Sequence, residues 1–138
     1  MALDSSTFIY FIEAHPQYLP VIEPVFSSIA SGDIKAVTAS LTLLEVLVLP
    51  LRANRRALAA EYERILTRSS GITLIPLDQD LLRLAAHLRA TTTLKTPDAL
   101  QLAAALESGC SAFLTGDHRI PQLPGLTILR VQDYLQTT

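Results

Sequence analysis

A chain of 138 residues with one cysteine, Cys110, is long enough to bury a core unaided, and it can hold neither an intrachain disulfide nor a thiolate metal cluster. Its net charge of −2 argues against indiscriminate nucleic-acid binding, although nine of its eleven basic residues are arginine, whose planar fork suits phosphate, salt bridges and stacking alike. Hydrophobic residues reach 49% and charged ones only 17%, below the usual share of about 25%, yet no apolar run approaches the roughly 18 residues of a membrane span. A soluble, cytoplasmic protein with a small solvated face is expected, part of its surface being covered by another subunit or a partner.

Met1 to Leu3 reads as a first strand. Helical patterns follow from about Thr7 to Ala14 and from about Tyr18 to Ala30, broken at His15-Pro16 and stopped at Gly32, which suits a left-handed cap. Ile34 to Thr38 is a second strand, and Ser40 can cap a helix carrying Glu45 that Pro50 is expected to interrupt. Ala57 to Arg68 is an amphipathic helix, Ile72 to Leu77 a third strand, and Asp78 caps a helix to about Ala90. After the polar loop TTTLKT, Thr96-Pro97-Asp98 reads as cap, first helical residue and first-turn acid of a helix to Ser108. Ser111 to Thr115 and Leu126 to Val131 are the last strands, with a short helix or tail beyond. Strands alternating with helices predict an α/β fold of three layers, α/β/α, around a mainly parallel sheet of about five strands, and residues 1–138 are expected to form a single domain.

Four acids sit where an apolar chain does not favour them. Asp4 closes the run MAL, Glu45 is alone inside LTLLEVLVLPL, Asp98 opens TPDALQLAAAL, and Asp117 follows SAFLT. A buried carboxylate costs several kcal/mol, roughly, unless it is paired, hydrogen-bonded or bound to metal. Asp4 and Asp117 fall at the carboxyl ends of strands, where open parallel sheets form their ligand crevice. Singly, each acid has a plainer role: Asp98 complements a helix dipole, Asp4 and Asp117 cap turns, and Glu45 is a half-exposed helix residue. Together they suggest one cation site. With oxygen donors and no His or Cys cluster, Mg²⁺ or Mn²⁺ suits them better than zinc. Repulsion between the acids is expected to raise at least one of their pKa values.

The segments LDSSTFIY, TLLEVL, TPDALQLAAAL and FLTGDHR, in this order, resemble the PIN-domain nucleases, especially the VapC-type toxins of toxin–antitoxin pairs. The resemblance implies a PIN-like fold and a metal-dependent endoribonuclease whose Asp4, Glu45, Asp98 and Asp117 hold one or two Mg²⁺ or Mn²⁺ ions, Glu45 being the acid that can hold water instead. It places Ser6 and Thr115 as contacts to a ligand or a metal-bound water. It implies an RNA substrate, a homodimer, and a VapB-like antitoxin laid over the site. Two other readings stand beside it: a PIN-like binding or scaffold module without activity, and a phosphatase similar to the haloacid dehalogenases. The second is weakened because Ser6 stands where those enzymes carry their second Asp, and Pro121 where they carry a later acid.

Arg119 can reach a substrate phosphate near Asp117 or remain a loop arginine, and His118 can contact phosphate or be solvated. His15 and His87 read as structural or exposed, Cys110 as a core filler. Arg52, Arg55 and Arg56 form a basic turn open to RNA, to solvent or to a dimer contact. Phe8, Ile9, Phe11 and Ile12, with Val21, Ile22, Val25 and Phe26, offer either core packing or a partner surface.

Overall fold

The computed structural model describes residues 1–135. Among these, five strands form one sheet: β1 (Ala2–Leu3), β2 (Ala36–Ala39), β3 (Ile72–Ile75), β4 (Ala112–Thr115) and β5 (Thr127–Arg130). Their order is β3-β2-β1-β4-β5 and every neighbouring pair is parallel. The chain steps outward from β1 through β2 to β3, then crosses to β4 on the other side of β1. That reversal makes the space beyond the carboxyl ends of β1 and β4 the switch point of the sheet.

Six helices cover it: α1 (Ser5–Ile12), α2 (Leu19–Ala30), α3 (Leu41–Arg52), α4 (Arg56–Arg68), α5 (Gln79–Thr91) and α6 (Thr96–Glu107). Side chains of a strand alternate between faces, and the two cores follow that period. Ala2, Ala39, Phe113 and Ile128 meet α5 and α6 on one face. Leu3, Ala36, Ile72 and Leu114 meet α1 to α4 on the other. Helix α6 is buried at every position from Ala99 to Ala105, and its alanines Ala99, Ala103, Ala104 and Ala105 let it lie close to its neighbours. Three of the larger apolar side chains, Phe8, Phe11 and Phe26, lock α1 to α2, with Phe11 and Phe26 stacked at 4.2 Å and Phe8 edge-on to Phe26 at 5.4 Å. The apolar residues of these two helices therefore pack into or against the core, with Ile9, Phe11, Ile12, Val21 and Val25 partly buried at its margin.

Several local expectations shift. Helix α3 runs through Pro50 to Arg52, although Pro50 supplies no N–H to the Val46 carbonyl one turn earlier; the helix ends two residues later. Ser40 flanks α3 with no side-chain cap bond, and Lys95, not Thr96, occupies the capping position of α6. Asp78 does cap α5, accepting from Leu81 N–H at 2.9 Å. Strand β3 stops at Ile75, before Pro76. A 3-10 turn, Val131–Tyr134, takes over the end expected for the last strand, and residues 136–138 of the expected tail lie outside the described residues. Among the described residues no helix is long and apolar enough to cross a membrane.

Leu102, fully buried on α6, should cost about 3 kcal/mol when replaced by Ala, whereas the exposed Leu82 on α5 should cost under about 0.5 kcal/mol; urea unfolding of both variants measures the contrast.

Candidate active site

Parallel pairing puts the ends of β1 and β4 side by side, with Leu3 opposite Leu114 and Asp4 N–H donating to Leu114 O at 3.3 Å. Asp4 stands at the cap position of α1, yet its carboxylate makes no cap bond. Two hydroxyls take it instead. Ser6 Oγ donates to Oδ1 at 2.5 Å and Thr115 Oγ1 donates to Oδ2. Each hydroxyl also ties down the loop after β4, since Ser6 accepts from Gly116 N–H at 3.0 Å and Thr115 from Asp117 N–H at 2.9 Å. Asp4 is only 8% exposed, and burial pushes its carboxyl from an ordinary 3.8 up to about 6 despite these hydrogen bonds.

Glycine at 116 makes room for the Tyr10 side chain. A Cβ there would collide with the Tyr10 hydroxyl oxygen and ring edge, so the phenol lies against this backbone, between the residues that hold Asp4 and Asp117. Burial and then the Asp4 charge raise the pKa of Tyr10, keeping it a proton donor at the rim.

The other acids approach from helices and from the loop. Asp98, half-buried in the first turn of α6, is raised by burial and then by the charge of Asp117. Glu45, half-buried on α3, is raised by burial, opposed by a hydrogen bond from Gln101, and raised further by Asp98. Asp117 goes the other way. Arg119 clamps it through Nε to Oδ1 and Nη2 to Oδ2, both at 3.0 Å, and its backbone N–H adds a third bond at 2.9 Å, holding the carboxyl below its usual range. Arg119 is thus engaged with Asp117 and His118 is exposed beside it. Burial, more than mutual repulsion, is the main cause of all three upward shifts among the acids.

Gln101, one turn after Asp98, is buried and bonded to Glu45, and it is absent from the residues singled out in the sequence. The signal for it is plain: it is the one polar residue between Asp98 and Glu107 on a helix that is otherwise Ala and Leu. The remaining candidates lie elsewhere. His15 Nδ1 accepts from the backbone N–H groups of Gln17 and Tyr18, both at 3.1 Å. His87 is exposed, Cys110 packs partly buried against the α5/α6 core, and the Arg52, Arg55, Arg56 turn is exposed with Arg55 3.9 Å from Glu13.

The donor chemistry fits a hard divalent cation: carboxylates and hydroxyls from three helices and two strand ends, one of the carboxylates desolvated and therefore favoured by a positive neighbour. Among the described residues no three His, Cys, Asp or Glu side chains are already grouped as a ligand set. The acids gather at one edge, Asp4 and Asp117 joined through Thr115, Asp98 sensing the charge of Asp117 and Glu45 that of Asp98.

The raised Asp4 pKa has a stability consequence in metal-free protein. Because the folded value lies above the unfolded one, ionised Asp4 destabilises the fold fully above about pH 6, progressively less as pH falls toward 3.8, and not below it. Asp4→Asn should therefore raise stability by about 2 kcal/mol at pH 7.5 in EDTA and by much less at pH 4.5, read from urea unfolding at both pH values.

The model of the PIN domain family matches residues 1–126. No curated protein matches the chain in sequence. Solved structures of similar fold include a toxin–antitoxin complex from Klebsiella pneumoniae, with a TM-score of 0.69, 18% identity, and coverage of 91% of this chain and 94% of that one. VapBC2 from Rickettsia felis, bound to a promoter DNA fragment, has a TM-score of 0.71 at 14% identity and covers 94% and 96%. Mycobacterium tuberculosis VapC20, a toxin that cleaves the sarcin–ricin loop, has a TM-score of 0.70 at 16% identity and covers 86% and 90%. With the family model spanning all but the last twelve residues, the chain belongs to the PIN domain family.

Proposed function

We propose that this chain is a cytoplasmic, single-domain VapC-like toxin: a Mg²⁺- or Mn²⁺-dependent endoribonuclease held in check by a VapB-like antitoxin. The observation that carries the reading is Asp4. A carboxylate buried between Ser6 and Thr115, with its pKa raised toward neutrality, costs stability that a structural role does not require. The similar structures, two of toxin–antitoxin complexes and one of an RNA-cleaving toxin, support the same direction.

Asp4, Asp98 and Asp117 would hold the cation directly or through water, and Glu45 would orient metal or water from α3. Bound there, the cation supplies an activated water and neutralises charge on the phosphoryl oxygens. Ser6 and Thr115 keep Asp4 ionised and aimed. Arg119, once Asp117 turns to a cation, is free to meet an RNA phosphate, with His118 next to it.

A homodimer accounts for the small solvated face. Leu44, Val48 and Leu51 are 61%, 37% and 61% exposed and fall on one face of α3 at helical spacing, with Leu49 also exposed. An antitoxin bringing an Arg or Lys among the acids would compete with the cation.

RNA cleavage should appear with Mg²⁺ and fall at least about a hundredfold in EDTA or in Asp4→Asn; equal cleavage in all conditions would leave only a binding module. Light scattering of the isolated chain should give twice the 15.0 kDa chain mass, and Leu44→Glu with Leu51→Glu should give the chain mass. A strict monomer before substitution would remove the dimer.

A further inference from the structure

Gln101 is 4% exposed, and every hydrogen-bonding position of its amide is used. Oε1 accepts from Ala39 N–H at 3.2 Å and from Thr38 Oγ1 at 3.4 Å. Nε2 donates to Thr42 Oγ1 at 2.8 Å and to Glu45 Oε1 at 3.2 Å. The Thr38 and Thr42 hydroxyls lie 2.6 Å apart and close the network. One side chain of α6 therefore reads the end of β2 and the first two turns of α3 together.

The orientation of this amide is dictated by its partners. A backbone N–H can only donate, so Ala39 forces the amide oxygen toward β2. The NH2 must then face α3, where it meets a carboxylate that, when ionised, can only accept. Glu45 is half-buried on its helix, with Ser5 near its carboxylate. Without the amide, much of the restraint on its three side-chain torsions is gone.

We propose that Gln101 is a positioning residue for Glu45: it ties Oε1 to α6 in a set orientation and leaves Oε2 for the cation or its water. This rests on the reading of Glu45 as part of a metal-dependent site. Asp98 and Gln101, one turn apart on the same helix, would then contribute one acid directly and control a second through its hydrogen bond.

A double-mutant cycle tests it, with Mn²⁺ binding followed by calorimetry and RNA cleavage followed in parallel. Gln101→Met keeps the volume and removes the donors; Gln101→Asn keeps an amide too short to span Ala39 and Glu45, and carries the test should the Met variant fail to fold. In the otherwise unaltered chain each should weaken Mn²⁺ binding and lower kcat by about tenfold. In a Glu45→Gln chain each should add less than about a twofold loss, because its route of action is already gone. Equal losses in both backgrounds, or none in either, overturn the positioning role while leaving Asp4-dependent cleavage intact. Mn²⁺ binding and cleavage that survive Asp4→Asn overturn the metal site itself, and this role with it.

Discussion

The burial of one carboxylate at the seam between β1 and β4 sets the conditions for everything around it. Removing Asp4 from water is costly, and two hydroxyls only partly offset the cost, as its pKa of about 6 records. Those hydroxyls cannot be supplied from just anywhere. Ser6 must lie in the first turn of α1 and Thr115 at the last position of β4, so the two strands must end level with each other. Both hydroxyls then accept from the backbone of the following loop, which delivers Asp117 to the same edge. The Tyr10 ring lies against this loop where residue 116 has no side chain to meet it.

The four acids are chemically unequal, and the inequality has separate sources. Asp4 is perturbed by burial, Asp98 and Glu45 by burial and by a neighbouring charge, and Asp117 is stabilised as an anion by a bidentate arginine. The site thus contains one carboxylate already neutralised by a cation of the chain's own and others that burial leaves unfavourably charged. Under the proposed metal-dependent reading, such a set would respond to a divalent ion in two ways at once: it would gain where the charge is desolvated and would have to displace Arg119 where it is paired.

Most of the fold is legible because its strands are short apolar runs between well-marked helices, with breaks at Gly32 and Asp78, and after Ser108, that have simple conformational reasons. Gly32 and Gly109 do take left-handed φ values of +85° and +72°, and Asp78 does cap α5. The acids were visible for the same reason, as charges in apolar surroundings. What pattern alone could not reveal was pairing across distance. That Thr115 donates to Asp4, 111 positions earlier, and that Gln101 reaches Glu45 across 56 residues, are properties of strand order and helix packing. Pro50 works in the opposite way: a proline marks a break in the sequence, yet α3 continues past it for two residues and ends at Arg52.

The turn of α6 between Asp98 and Gln101 behaves as a ruler. An α-helix advances about 1.5 Å and rotates about 100° per residue, so a single residue inserted there would leave Asp98 at the edge of the sheet while swinging Gln101 away from Ala39, Thr42 and Glu45 together. The connection before the helix, residues 92–95, carries no such phase relation and can change length without turning one residue against the other. A length change that keeps this arrangement therefore has to fall in the connections, and the spacing of an acid and an amide three residues apart becomes a register that substitution can degrade but insertion destroys.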